Sequence, residues 1–212
     1  MTETPEDARP SLSFNPRTAG DFDAFYAGTA PWDIGRPQAA FRRLADSGLL
    51  TGRVLDAGCG TGEHALLCAG LGLAATGIDA APTAIGLARR KAQERGLDAR
   101  FIVGDALDLG ALGEQYDTVI DSGLFHSFED DDRSRFVDSL RAAAAAGGRY
   151  YLLCFTDQQP GDWGPRRVSQ DEIRASFADG WRVESIEAAT FEVVHRRGSD
   201  GALAWLATIT RT

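Results

Sequence analysis

The sequence predicts an α/β protein built on a single doubly wound sheet, mostly parallel, with a C-terminal antiparallel hairpin and helices on both faces. Three observations point there. From about residue 53, short β-rich runs alternate with helical stretches, the pattern of parallel strands joined by helical crossovers. The first β-rich run ends in a glycine-rich loop, "VLDAGCGTGEH", placed between a strand and a helix. The last two β-rich runs follow each other without a helix, joined by the turn-forming "RRGSDG", which suggests a hairpin.

Each element has a local reason. Residues 17–50 read as a helical preface containing "FYAGTAPWDIGRPQAAFRRLADSGLL". "RVLDA" is a buried strand and "EHALLCAGLG" a helix; "AATGIDA" is a second strand. "PTAIGLARRKAQERG" is a helix with Pro82 in its first turn and Gly96 just past its end. "RFIVGDA" and "YDTVIDSG" are the third and fourth strands. "EDDDRSRFVDSLRAAAAAG" is a helix with acids at the positive end of its dipole and Gly147 as its stop. "RYYLLCF" is the fifth strand. "SQDEIRASFADG" opens with a capping box from Ser169 to Glu172. "WRVESIEAATFEVVH" and "ALAWLATIT" are the hairpin strands.

The bulk numbers limit the function. A chain of 212 residues suits one domain with one sizeable core. Residues 1–16 read as a flexible N-terminal tail and 17–212 as the domain. Within it, 17–50 is a lid or preface, 53–155 the core, and 156–212 a loop and the hairpin. The acidic, Pro-containing start lacks the features of a signal peptide, and no apolar run reaches the ~18 residues of a membrane helix. A cytoplasmic protein without a membrane partner is expected, as a monomer or homodimer. The formal net charge of −9 argues against nucleic acid, which needs a concentrated basic face. Cys59, Cys68 and Cys154 form no CxxC pair and read as buried reduced thiols. Three scattered histidines leave no metal constellation to propose.

The glycine loop carries the chemistry. Gly58, Gly60 and Gly62 sit at alternate positions after a strand, where the missing Cβ lets backbone N–H groups approach a ligand. A helix N-terminus follows, which favours a negative group. Ligands of open α/β sheets bind at this edge, outside the carboxyl ends of the strands. The pattern is GxGxG, whereas a dinucleotide fingerprint is GxGxxG, and this disfavours a dehydrogenase. Asp56 lies two residues ahead of Gly58. Asp79 ends the second strand, where a carboxylate suits ribose hydroxyls, and Asp105 ends the third.

"VLDAGCGTG", "GIDA" and "GDALDL" together resemble the cofactor motifs of class I S-adenosylmethionine-dependent methyltransferases, whose sheet is Rossmann-like. The resemblance covers roughly residues 53–155. It implies that Asp56 and the backbone of Gly58, Cys59, Gly60, Thr61 and Gly62 hold the methionine part of the cofactor. It places Asp79, with Ala80, on the ribose and Asp105, with Ala106, near the adenine. Trp32 and Asp121 complete the expected cofactor set, and the product would be S-adenosylhomocysteine.

The acceptor is narrowed by other stretches. The fourth strand ends in "DSGLFH" and lacks the Asn/Asp-Pro-Pro-aromatic motif of DNA amino-methylating enzymes. "PWDIGRPQ" resembles the segment ahead of the cofactor loop in thiopurine, thiol/halide and tellurite-resistance methyltransferases, where it covers the cofactor. "DQQPGDWGPRRVS" resembles a loop of bacterial methyltransferases acting on heterocyclic phenols and quinolones. The expected acceptor is therefore a small aromatic or heterocyclic molecule, methylated at O, N or S in detoxification or secondary metabolism. The alternatives are a thiol, halide or tellurite-type enzyme and a non-catalytic cofactor-binding regulator.

The candidate acceptor contacts are Phe25, Tyr26, Trp32, Arg36, Ser122, His126, Trp163 and Arg166. Trp163 suits stacking on a flat ring; Arg166 or Arg167 suits an anionic group, and one of the two suits capping the loop. His126 is the candidate catalytic residue. An unperturbed imidazole titrates near ~6.5 and could take a proton from a hydroxyl or ring N–H acceptor. Its other reading is pocket shaping or a hydrogen bond to a backbone carbonyl. His195, Arg196 and Arg197 read as solvated charges at the hairpin end.

Overall fold

The computed structural model describes residues 18–28, 30–194 and 201–212. The expected tail and His195 to Arg197 lie outside the described residues. The preface carries α1 (Ala19–Phe25) and α2 (Ala39–Asp46). The core then runs β1 (Arg53–Ala57), α3 (Glu63–Gly70), β2 (Ala74–Asp79), α4 (Pro82–Arg95), β3 (Ala99–Val103), β4 (Tyr116–Ser122), α5 (Asp130–Ala143) and β5 (Ala144–Phe155). The chain closes with α6 (Gln170–Ser176), β6 (Trp181–Phe191) and β7 (Ala202–Arg211).

Seven strands form one sheet in the order β3-β2-β1-β4-β5-β7-β6. The first five are parallel; β7 pairs antiparallel with both β5 and β6. The hairpin therefore runs out to the edge on β6 and returns on β7 beside β5. Consecutive strand residues enter opposite cores. Leu55, Val119, Tyr150 and Leu152 pack on one face, and Val54, Ile120, Tyr151 and Leu153 on the other. A sheet covered on both faces needs such near-continuous apolar runs, which is why these strands show no polar alternation.

The local signals operate as expected at most ends. Pro82 opens α4 and Gly96, at φ 62°, ends it. Ser169 and Glu172 form a complete capping box on α6. Two boundaries differ from expectation. Helix α5 stops at Ala143, ahead of Gly147, because Ala144 turns extended (φ −76°, ψ 136°) and pairs with Tyr116. The ladder resumes at Thr118 opposite Arg149, so residues 145–148 bulge and Gly147, at φ 75°, serves the bulge. Strand β6 ends at Phe191, not at residue 195. Glu192 N–H donates to Gln38 Oε1 (2.8 Å) and Val194 N–H to the Pro31 carbonyl (2.7 Å), which draws the chain to the preface.

Candidate active site

Parallel pairing brings the carboxyl ends of β1, β2, β3, β4 and β5 to one edge of the sheet. At β1 the loop turns back onto β2. The N–H groups of Gly58 and Cys59 both donate to the Ile78 carbonyl at 2.9 Å. Gly58, Gly60 and Gly62 all adopt left-handed φ (69°, 51° and 86°), a region that strains any residue with a Cβ. A Cβ on Gly62 would lie 2.7 Å from the Phe101 ring. The Cys59 and Thr61 side chains are buried, and Thr61 Oγ1 accepts from Lys91 Nζ at 2.6 Å, so these positions offer a ligand mainly backbone.

Beneath the loop lies Asp56. Its Oδ2 accepts from Ala65 N–H at 3.0 Å, while Oδ1 is buried with no hydrogen-bond partner among the described residues. Burial pushes its carboxyl up to about 7, helped by the charges of Asp79 and Asp121. Asp79 accepts from Gly60 N–H (2.8 Å) and Ala81 N–H (2.9 Å), which clamps the loop to the end of β2; burial raises its carboxyl too. Ala80, beside it, is exposed. Asp105 is exposed and caps the 3-10 turn Ala106–Leu112 through Leu107 N–H (2.9 Å), with Ala106 buried behind it.

The preface roofs this loop. Asp23 accepts from Thr83 N–H (2.8 Å) at the start of α4, and Glu192 accepts from Ala39 N–H (2.8 Å) and Arg36 (2.8 Å). Between these anchors Tyr26 is buried, with its hydroxyl 2.7 Å from where a Gly60 Cβ would stand. That hydroxyl accepts from Trp32 Nε1 at 2.9 Å. Phe25 and Trp32 pack at 5.0 Å between ring centroids. Burial, and the nearby Asp79, push the Tyr26 phenol up, so it stays neutral. Arg36, expected at the acceptor, pairs through Nη2 with Glu192 at 2.8 Å, which joins the preface to the end of β6.

The acceptor side is built at the ends of β4 and β5. Asp121, expected in the cofactor set, is fully buried opposite Ala57 and braces its own turn. Its carboxylate accepts from Leu124 N–H (2.7 Å), Phe125 N–H (3.0 Å) and the Tyr150 hydroxyl (2.8 Å). This fixes the turn that carries Ser122, half-buried at the strand end, and His126. The His126 ring is buried against Phe155 (5.1 Å between centroids) and Phe191 (5.7 Å). Its Nδ1 accepts from Phe155 N–H at 3.0 Å. Burial pushes the imidazole down to about 3, with Arg133 and Arg167 adding to the effect. A ring so placed is a poor base, contrary to the sequence expectation.

Trp163 stands edge-on to Phe155 at 5.6 Å, extending the same aromatic wall. Arg167 holds its loop by donating to the carbonyls of Gln159, Gly161, Trp163 and Pro165. Arg166 is tied to Asp130 and Glu172, so the structure gives it the task of pinning the loop to α5 and α6. It is not free to meet an anion.

A methyltransferase-domain family model matches residues 54–148. Over 192 residues the chain is 38% identical to a 2-heptyl-1-hydroxyquinolin-4(1H)-one methyltransferase of Mycobacteroides abscessus, covering 89% of this chain and 82% of that one. The chain is a class I S-adenosylmethionine-dependent methyltransferase. A structure solved for the conversion of a disulfide bond into a thioacetal group during echinomycin biosynthesis superposes with a TM-score of 0.81. It is 41% identical and covers 92% of this chain and 93% of that one. The fold is shared with magnesium protoporphyrin IX methyltransferase from Synechocystis PCC 6803 with bound SAM (TM-score 0.61, 23% identity, 92% and 79% covered).

The methyltransferase therefore uses S-adenosylmethionine and acts on a small molecule, and its residues fit that cofactor. Asp56 keeps one buried oxygen without a partner among the described residues, beneath three glycines whose missing side chains admit Leu124, the Tyr26 hydroxyl and the Phe101 ring against the loop. The structure gathers Tyr26, Trp32, Asp56, 58–62 and Asp79 around one cradle, and His126 and Trp163 in a second cluster. Sequence reasoning did not name Phe155 and Phe191, which pack on His126, and reached Leu124 only within "DSGLFH" and Gln38 only within "PWDIGRPQ". Leu124 covers Gly58, its side chain 3.1 Å from where a Cβ would be. Phe191 comes from a strand that no motif connects to the site. Only the long apolar runs containing Phe155 and Phe191 hinted at them.

Proposed function

We propose that this methyltransferase acts on O, N or S of a small aromatic or heterocyclic acceptor, in detoxification or secondary metabolism. The observation that carries the reading is the aromatic wall of Phe155, Trp163, Phe191 and His126 at the ends of β4 and β5. The identity to a relative named for a hydroxyquinolone supports the same class. The net charge of −9 supports a small molecule over nucleic acid.

In this reading the 58–62 backbone and Asp56 hold the methionine part of the cofactor, the free Asp56 oxygen taking its ammonium group. Asp79 serves the ribose, and Asp105 with Ala106 the adenine. When bound, the cofactor supplies a methyl group already activated by the sulfonium. The protein's work is then placement and exclusion of water. Tyr26 and Trp32 close over the loop, and the aromatic wall holds a flat ring in line with it.

The test is a screen of hydroxyquinolones, phenols, thiols and iodide with labelled cofactor. Transfer to hydroxyquinolones or phenols is expected; transfer to iodide alone would overturn the reading. A thiol acceptor is the second reading, favoured by the 41% identity to the protein of the disulfide-to-thioacetal conversion. Labelled thiols in the same screen decide it.

A further inference from the structure

The role of His126 follows from which of its nitrogens is engaged. Nδ1 accepts the Phe155 N–H at 3.0 Å, so its lone pair is occupied. In a neutral imidazole with an accepting Nδ1, the proton is on Nε2. Nε2 lies 3.1 Å from where a Gly123 Cβ would stand, and Gly123, at φ 89°, closes the end of β4. The ring can take up a second proton only by breaking its bond to the β5 backbone. Burial further opposes a charged ring.

The cations that act on His126 are Arg133 of α5, itself paired with Glu172 at 3.5 Å, and Arg167 of the 157–168 loop, near Asp162. Arg167 is held by backbone carbonyls, which fix its position without cancelling its charge, and it sits 5.5 Å over the Phe155 ring. The nearest acid on β4, Asp121, is turned into its own loop by three donors. Burial and the two guanidinium groups oppose a cation on the ring, the charge of Arg133 being offset in part by Glu172.

We propose that the acceptor binds as its anion, a heteroaromatic hydroxylate or a thiolate, with His126 Nε2–H donating to the acceptor atom and Arg167, over the Phe155 ring of the same wall, supplying a favourable field. This rests on the acceptor site proposed above. The acceptor's proton leaves to solvent before transfer. The acceptor's lone pair then forms the new bond to the methyl carbon as the methyl–sulfonium bond breaks, its electron pair staying on sulfur. Anion and sulfonium become two neutral products. Acceptors that are already acidic are therefore preferred, and His126 is a positioning donor in place of the base expected from sequence.

Three readouts test this. In ¹⁵N spectra of the ligand-free protein, His126 should show a protonated Nε2 and a bare Nδ1 throughout, from about pH 5 to about pH 9. An Nδ1–H tautomer, or titration within that range, overturns the proposal whatever the acceptor. With S-adenosylhomocysteine present, 4-nitrophenol should bind as its coloured anion at pH values below its own pKa. Binding in the neutral form overturns the proposal. For any acceptor that turns over, H126A should lose roughly 10–100-fold in kcat/KM, and H126Q, which restores an N–H donor, should recover most of it. The acidic limb of the pH profile should follow the acceptor's pKa in all three proteins. Equal loss in both variants, confined to acceptors un-ionised at the assay pH, establishes a base and overturns the donor. Failure of every acceptor in the wild type counts instead against the proposed acceptor class, while the tautomer measurement still decides His126.

Discussion

The ends of β1 and β4 lie side by side, with Ala57 opposite Asp121, and they use the same parts to opposite effect. Each has a buried aspartate, a left-handed glycine and a turn into a helix. At β4 every described oxygen of Asp121 is satisfied by its own turn and by Tyr150. At β1 only one Asp56 oxygen is satisfied, and the other is buried without a partner. Burial pushes both carboxyls to about 7. A fully paired carboxylate builds a rigid turn; a half-paired one keeps an acceptor for a ligand donor. The proposed cofactor position rests on the half-paired Asp56, and the proposed acceptor wall stands on the turn that Asp121 closes.

The largest effects should come from the glycines that shape these ends. G62A forces a Cβ to 2.7 Å from Phe101 and 2.9 Å from Ala88 Cβ at a left-handed φ. Chemical denaturation should show a loss of about 3 kcal/mol. G123A pushes on Phe191 and His126 Nε2 at 3.0–3.1 Å, and should cost about 1–2 kcal/mol while lowering acceptor turnover more than cofactor affinity.

The aspartates sharpen the comparison. D121N keeps one acceptor oxygen but sets an amide NH2 against either Leu124 N–H or the Phe125 N–H and Tyr150 hydroxyl, and should cost about 1–3 kcal/mol in the same denaturation experiment. D56N keeps an acceptor for Ala65 and should leave the ligand-free protein as stable or more so, while weakening cofactor binding.

The pH dependence follows in sign. Both carboxyls are raised from 3.8 to about 7, so the folded state holds their protons more tightly than the unfolded state. The contribution of these two carboxyls to the stability of the cofactor-free protein should be greatest below about pH 4, fall as pH rises toward about 7 and then level off, opposite in sign to that of the buried neutral His64 and His126. The difference in melting temperature between wild type and D56N across this range isolates the Asp56 part. The smallest effect is R36A. Its partner Glu192 is at 2.8 Å, but the arginine side chain is 47% exposed, so denaturation should register at most about 1 kcal/mol.

The candidate cofactor half could be proposed from sequence because its determinants are local. Three glycines, a strand-end carboxylate at each of three strands and the capping signals sit within short windows, and backbone geometry does the rest. The acceptor half was legible only as a location. Trp163 and His126 could be named, but the partner that fixes His126 is a backbone N–H on β5, 29 positions away. Arg36 and Arg166 looked available because their carboxylates are distant in sequence, at Glu192, Asp130 and Glu172. Asp121 looked like a ligand because a carboxylate that closes on its own turn has the same sequence as one that waits for a cofactor. The α5 boundary escaped because five alanines favour a helix, and only pairing with Tyr116 makes Ala144 a strand residue.

The most direct measurement is calorimetric titration of S-adenosylhomocysteine into the wild type and D56N at about pH 8, where a free carboxylate is ionised. The expected result is at least a ~10-fold weaker Kd for D56N, as for loss of a hydrogen bond to a charged group, with an unchanged or higher melting temperature. Equal affinity in the two proteins would contradict the assignment of the buried Asp56 oxygen to the cofactor.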